Sequence, residues 1–322
     1  MSKTNRPYDK ARTIACASIL LFLLHASGSE SAKGKSKVTG AAQVNGTTLY
    51  YEMAGKGRRV VLIHGGLADS RLWDDQFDEL AKHFRVIRYD LRGFGKSAFS
   101  MGPYSHIEDL YALLKFLKIK KASLVGLSLG GVIATDFALE HPEMVDALIL
   151  ASSGLRGHPS ARNEKSVAVQ KAAEEQGMEK AIEMWLDHPF FATGKKNPAY
   201  VQRMRRMLAE NFRYWGPTPS PIMVTWPTRP SIERLSEIKA PTLIIVGEQD
   251  APNIRAIADT LEARIEGAKK VVIPGVSHHL NMEKPKEFNE TVLDFFQQQG
   301  TPAPHNGRNR TRRQRASHPQ SP

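Results

Sequence analysis

A serine with the surroundings of a nucleophile lies near the middle of the chain. Ser128 is the centre of Gly126-Leu127-Ser128-Leu129-Gly130, a G-x-S-x-G pentapeptide between the apolar run ASLV and the helix-like run GGVIATDFAL. A serine hydroxyl becomes reactive when a sharp strand-to-helix turn lifts it clear of the backbone, and glycines leave room for that turn. The helix that follows points backbone N–H groups at a developing negative charge. The pattern predicts a nucleophile at Ser128 and an oxyanion donor at the N–H of Leu129.

A glycine-rich loop, LIHGGLADS, follows an earlier apolar run and offers further backbone N–H groups. We expect Gly66 to supply the second oxyanion donor and the neighbouring Leu67 to line the substrate pocket. His64 leads this loop, and we expect it to brace the loop rather than to transfer protons.

Acids and histidines that could complete the site lie in the last third of the chain. Asp250 follows the apolar run LIIVG, where a carboxylate can hold a histidine in one tautomer and stabilise its charged form. Glu248 is the competing acid, but it shares the side of Asp250 only if the turn comes late, so we favour Asp250.

The segment PGVSHHLNMEKP places His278 beside His279. On residue types alone, this pair could be a metal site, a pH sensor, or one catalytic base beside a bystander.

The elements that must position these residues alternate regularly. Apolar runs too short for helices (RRVVLIH, FRVIRYD, ASLVGLS, DALILAS, PTLIIVGE and KKVVIPG) are separated by amphipathic stretches. This predicts an α/β fold with a mostly parallel central sheet and helices on both faces. The two strand-like segments around Asn45-Gly46 predict a hairpin at the start of the fold.

The alternation is interrupted once, between Ser153 and Lys239, where only helical stretches and a Pro-rich link occur. We interpret residues 154–238 as a helical cap inserted into a core formed by residues 41–153 and 239–300. Such a cap covers the carboxyl ends of the strands, where open α/β sheets bind ligands.

The order of these motifs resembles that of the α/β-hydrolase superfamily, in its capped serine esterase/lactonase-like branch, over roughly Val44 to Gln299. The segment DLRGFGKS is similar to the family's D-x-R-G-x-G-x-S, which implies that Asp90 and Arg92 fix a loop. The chain order serine, aspartate, histidine also matches that of this fold.

The resemblance also distinguishes the two neighbouring histidines. The family's histidine is usually followed five residues later by an acid and seven residues later by a proline. Counting from His278 leads to Glu283 and Pro285, whereas counting from His279 leads to two lysines. The resemblance therefore implies that Ser128, Asp250 and His278 form the catalytic triad and that His279 is a bystander.

The implied function is hydrolysis of carboxylic esters of small or medium size through an acyl-enzyme on Ser128. A lactonase or a C–C bond hydrolase with the same triad, or a ligand-binding protein of hydrolase ancestry without turnover, are alternatives. We expect a small-molecule ester or lactone as the partner, no nucleic acid, no cofactor and no metal, because the remaining histidines lack ligand spacing. The residues expected to line the pocket, besides Leu67, are Trp185, Phe190, Trp215 and His279.

Most of the formal net charge of +12 belongs to the ends of the chain. A basic stretch, an apolar run from Ile14 to Leu24 and a set of small residues predict an export signal at 1–28, followed by a flexible segment at 29–40. This predicts a periplasmic or secreted protein with no stable membrane association once the signal is cleaved.

Residues 301–322 contain five arginines and no acid, which predicts a disordered basic tail. The sequence leaves the oligomeric state open.

Overall fold

An eight-stranded sheet forms the centre of the molecule in a computed structural model that describes residues 37–99, 102–159, 164–211 and 224–300. The strands are β1 (Val38–Val44), β2 (Thr47–Ala54), β3 (Arg59–Ile63), β4 (Arg85–Tyr89), β5 (Ala122–Leu127), β6 (Val145–Ala151), β7 (Thr242–Gly247) and β8 (Lys269–Ile273). Their order across the sheet is β1-β2-β4-β3-β5-β6-β7-β8. The first two strands are antiparallel to their neighbours, and all other pairs are parallel. The predicted mostly parallel sheet is confirmed.

The hairpin of β1 and β2 is also confirmed. Asn45 and Gly46 have φ values of 46° and 67°, the left-handed conformations that a tight two-residue turn between twisted strands requires. The strand β1 begins at Val38, which pairs with Met53. The prediction of a flexible segment up to residue 40 is therefore wrong for residues 38–40, because seven residues of β1 find partners on β2.

Helices cover both faces of the sheet. They are α1 (Asp74–Leu80), α2 (His106–Phe116), α3 (Leu129–Glu140), α4 (Glu164–Glu175), α5 (Met178–Leu186), α6 (Pro198–Asn211), α7 (Pro252–Arg264), α8 (Leu280–Glu283) and α9 (Pro285–Gly300). Successive residues of a strand point to opposite faces, and along β3 Val60 and Leu62 join one buried cluster while Val61 and Ile63 join the other. The first cluster contains side chains of α1 and α9, and the second contains side chains of α2, α3 and α7. This two-sided burial explains why the parallel strands are continuous apolar runs.

The helices α4, α5 and α6 lie between β6 and β7, at the position predicted for the cap. Their apolar side chains, such as Trp185 and Met204, join the buried cluster on the α1 and α9 side of the sheet. At the end of α6, Asn211 donates to Asp69 (2.8 Å) and accepts from the N–H of Gly95 (2.7 Å), which ties the cap to two loops of the core.

The predicted export signal and basic tail lie outside the described residues. Within the described ranges, no helix combines the length and the apolar character that a membrane crossing requires.

Candidate active site

The turn at Ser128 joins β5 to α3 in a strained conformation. Ser128 has φ 54° and ψ −112°, a region that L-residues rarely adopt. A Cβ at Gly126 would lie 2.2 Å from the carbonyl oxygen of Gly130, and a Cβ at Gly130 would lie 2.1 Å from that of Ile63. Only glycine fits at either position, so the two flanking glycines allow the sharp turn that presents the serine.

A histidine and a carboxylate meet at the carboxyl end of β7. The Nδ1 atom of His278 lies 3.1 Å from each carboxylate oxygen of Asp250, and both side chains are buried. This contact places the proton on Nδ1 and leaves Nε2 free to accept a proton. The competing acid, Glu248, is exposed and instead accepts from the N–H of Gly275 (2.9 Å). The structure thus brings Asp250, and not Glu248, to the histidine.

Ser128 and His278 line one cavity of about 390 Å³. No hydrogen bond between the Ser128 hydroxyl and His278 is present among the described residues. Such bonds are commonly long in a free enzyme and shorten when substrate binds.

His279 has a different partner from its neighbour. Its Nδ1 atom lies 2.8 Å from the hydroxyl of Tyr200 on α6, and its ring meets that of His278 edge to face at 5.3 Å. Burial holds the pKa of His279 well below its usual range, and the nearby His278 lowers it further. His279 therefore stays neutral and contacts the cap, while it also lines the cavity.

His64 braces the glycine-rich loop, as the sequence indicated. Its Nε2 atom accepts from the N–H of Leu91 (2.9 Å), so Nδ1 donates to the carbonyl of Gly65 (2.7 Å). Burial lowers the pKa of His64, so the ring stays neutral and both nitrogens are used for structure. Asp90 and Arg92 also fix loops: Asp90 accepts from the N–H of Ser70, and Arg92 pairs with Asp109.

The glycine-rich loop lies directly beside the serine turn. A Cβ at Gly65 would lie 3.3 Å from Cβ of Ser128, and one at Gly66 would lie 3.9 Å from the side chain of Leu129. Leu129 is the first residue of α3, so its N–H has no partner within the helix. The described backbone hydrogen bonds include none donated by Gly66 or Leu129. Both N–H groups are thus available to an oxyanion next to Ser128.

The cavity wall is mainly apolar and aromatic. The predicted pocket residues Leu67, Trp185, Phe190 and His279 line it, and Trp215 lies outside the described residues. The ring of Phe190 stacks on that of His278 with centroids 3.9 Å apart and planes 12° from parallel. None of the described lining residues is Asp, Glu, Lys or Arg.

The sequence interpretation missed one polar part of this wall, formed by Tyr104 and His106. Tyr104 lies near the end of the loop that follows β4, and His106 is the first residue of α2. Loops after the carboxyl ends of parallel strands meet at the edge of the sheet where ligands bind. The position of Tyr104 and His106 after β4 could therefore have indicated that they lie near the site.

The described arginines of the predicted cap do not line the cavity. Arg203 on α6 pairs with Asp75 on α1 (2.7 Å), and Arg205 pairs with Glu179 on α5. The described residues also contain no cluster of three or more His, Cys, Asp or Glu side chains arranged to hold a metal ion.

Known proteins with similar sequences include hydrolases of several substrates. The chain is 28% identical over 262 residues to a pimeloyl-[acyl-carrier protein] methyl ester esterase of Yersinia enterocolitica, covering 79% of this chain and 99% of that protein. It is also 28% identical over 270 residues to a 2-hydroxy-6-oxo-6-(2'-aminophenyl)hexa-2,4-dienoic acid hydrolase of Metapseudomonas resinovorans, covering 78% and 88% of the two chains.

Among solved structures, the chain is similar to Est816, described as an N-acyl homoserine lactone degrading enzyme. The TM-score is 0.67 at 28% identity, over 80% of this chain and 100% of that one. A family model described as the alpha/beta hydrolase fold matches residues 58–285. This match spans well over half of the sequence and contains the serine turn, the buried His–Asp pair and the loop beside them, so the chain belongs to the α/β hydrolase family.

Proposed function

We propose that this protein is a serine hydrolase that cleaves uncharged carboxylic esters of small or medium size. The observation that carries the proposal is the placement of Ser128, on its strained turn, in one cavity with His278, whose far nitrogen is held by Asp250. A nucleophile, a base and a carboxylate that orients the base are the groups that acyl transfer needs.

The reaction follows from this placement. Nε2 of His278 takes the proton of the Ser128 hydroxyl as Oγ attacks the ester carbonyl, and Asp250 stabilises the resulting imidazolium. The negative charge on the former carbonyl oxygen is accepted by the N–H groups of Gly66 and Leu129. The C–O bond then breaks, and the imidazolium gives its proton to the leaving alcohol. Water, deprotonated by His278, attacks the acyl-enzyme. The bond from the acyl carbon to Oγ then breaks, the imidazolium returns its proton to Oγ, and the acid and free Ser128 are released.

The cavity supports a small, uncharged substrate. Its volume of about 390 Å³ lies at the lower end of the range for small-molecule sites. Its described walls are apolar and aromatic and carry no formal charge, so the binding of a carboxylate would cost desolvation that no cation among the described lining residues offsets.

Lactone hydrolysis is the second candidate. A lactone is a cyclic ester and needs the same nucleophile, base and oxyanion donors, and the likeness to Est816 favours it. The C–C bond hydrolase in the comparison is named for an acid. The described cavity walls place no cation to hold such a carboxylate, so we rank this reaction below the other two.

Labelling of Ser128 tests the proposal. A fluorophosphonate should label the wild type and the Ser236→Ala control, whose serine is exposed and away from the cavity, but not Ser128→Ala. The wild type should hydrolyse p-nitrophenyl butyrate, and a series of alkyl esters and lactones should then rank the two candidate reactions. A wild type that is neither labelled nor active would instead be a binding protein of hydrolase ancestry.

A further inference from the structure

One histidine in the cavity wall has no part in the proposed acyl transfer. His106 is the first residue of α2, follows the N-cap Ser105, and is only 2% exposed, yet its side chain lines the cavity. Its ring meets the edge of Tyr104 at 5.1 Å and lies 6.3 Å from the ring of Trp226, both of which line the same cavity. The ring of His278, by contrast, contacts the rings of Phe190 and His279.

One ring nitrogen of His106 has no hydrogen-bond partner within the described part of the chain. Its Nδ1 atom is completely buried and has no hydrogen-bond partner there. A neutral imidazole has one donor and one acceptor, and a buried polar group without a partner costs about 1–3 kcal/mol. A proton on Nδ1 would be a buried N–H without an acceptor, so the favoured tautomer carries its proton on Nε2. A molecule in the cavity can reach this second nitrogen.

The charge state of His106 points to the same type of ligand. Burial lowers the pKa of His106 to about 3, with smaller contributions from His64 and Arg92. The ring is therefore neutral at physiological pH and offers a directed N–H rather than a positive charge. Such a donor recognises a neutral oxygen, because a carboxylate would need a positive charge that the described lining residues lack.

We propose that His106 is a specificity-determining residue whose Nε2–H donates a hydrogen bond to an uncharged oxygen of the substrate, a keto, ether or hydroxyl group outside the scissile ester. The proposal rests on the proposed function and narrows its substrates to esters or lactones with such an oxygen. Among the aromatic side chains described in this wall, the directed donor of His106 favours oxygenated chains over plain alkyl chains of equal length.

The test compares p-nitrophenyl hexanoate with p-nitrophenyl 4-oxohexanoate and 5-oxohexanoate, which keep the chain length and the leaving group. The wild type should show a higher kcat/KM for at least one oxo ester than for hexanoate. The substitution His106→Phe keeps a ring but removes the donor, so this preference should fall about fivefold or more, mainly through KM, as expected for one lost hydrogen bond. His106→Gln retains a donor and should keep part of the preference.

His141 offers a matched control, because its Nε2 atom is also buried without a partner while its ring stacks on Tyr111, away from the cavity. His141→Phe should leave the preference unchanged. Equal preference in the wild type, an unchanged preference in His106→Phe, or an equal loss in both phenylalanine variants would overturn the assignment of His106. Hydrolysis of hexanoate that depends on Ser128 would still support the proposed function in each of these cases. The wild-type comparison does not depend on whether a variant folds.

Discussion

The partners of His278 and His279, rather than their position in the loop, give these neighbours different chemistry. A carboxylate holds Nδ1 of His278 and leaves Nε2 for proton transfer, whereas Nδ1 of His279 contacts the hydroxyl of Tyr200. Burial keeps the pKa of His279 low, so this ring stays neutral. Only one of the two rings is therefore equipped as a general base.

The substitution His278→Ala should lower kcat for p-nitrophenyl butyrate by about 10⁴-fold or more, because it removes the base of the proposed triad. The double variant with Ser128→Ala should be little worse than either single variant, since the residues act as a unit. His279→Ala should lower turnover only several-fold, with most of the change in KM, because that ring lines the cavity. Steady-state kinetics measures kcat and KM of these variants, and circular dichroism checks that each variant is folded. An inactive His279→Ala beside an active His278→Ala would reverse the two roles.

The buried histidines also set a pH dependence of stability. Burial lowers the pKa values of His64, His106 and His279, so these rings are neutral in the folded protein but bind protons below about pH 6.5 in the unfolded chain. The unfolded state then binds more protons than the folded state, so stability falls as pH falls below about 6.5. His106, whose pKa burial lowers to about 3, should contribute a loss of about 1.4 kcal/mol between pH 7.5 and 5.5.

Urea unfolding at the two pH values measures this loss. His106→Phe should reduce the difference between the two pH values by about 1.4 kcal/mol, the share of one ring. Phe137→Leu, a core substitution without a titrating group, should lower stability by the same amount at both pH values. A pH difference that is the same in His106→Phe and the wild type would contradict the explanation.

At the scale of elements, the loop that carries His278 is fixed by an acid at its far end. Glu283, on α8, accepts from the hydroxyl (2.9 Å) and the N–H (3.3 Å) of Ser277, the residue before the histidine. Thr193, between α5 and α6, also donates to Glu283 and lies 2.8 Å from the Ser277 hydroxyl. This network joins the cap to the histidine loop, so cap position and histidine position are linked.

Removal of the acid should misplace the histidine without removing it. Glu283→Ala should lower kcat by about 10- to 100-fold with a smaller change in KM, because small displacements of a catalytic group are costly. Glu283→Gln should recover part of the loss. The control is Glu287→Ala, since Glu287 pairs with Lys284 at the surface (3.1 Å) and should leave kinetics unchanged. Wild-type kinetics in Glu283→Ala would show that the network has no part in positioning His278.

At the scale of the whole molecule, the described residues of both buried clusters and of the site lie within residues 37–300. The sequence predicts a cleaved export signal before them and a basic tail without apolar periodicity after them. A chain limited to these residues should therefore keep the melting temperature within about 2 °C and keep the turnover of p-nitrophenyl butyrate, which thermal melts and kinetics measure. A large loss of stability or of turnover would mean that one of the removed ends packs on residues 37–300. Export, with cleavage near Gly28, stays a prediction that the intact mass of the protein from its own host tests.

Features that depend on a few neighbouring residues could be predicted from the sequence. The serine turn is one, because the backbone at Ser128 requires glycines two residues before and after it. The hairpin at Asn45-Gly46 is another, since left-handed turn residues are locally encoded. The parallel sheet was also predictable, because strands buried on both faces must be continuously apolar.

Features that depend on distant segments needed the tertiary structure. Strand β1 starts at Val38 because β2 offers a partner there, and no local signal marks that partner. The choice between Asp250 and Glu248 depends on where the turn after β7 bends, and the partner of His279 comes from a cap helix 79 residues away. His106 reaches the cavity because the loop after β4 and the cap close over the same edge of the sheet. Local sequence specifies backbone turns and the burial of each face, whereas the convergence of side chains on one point depends on the pairing and packing of segments far apart in the chain.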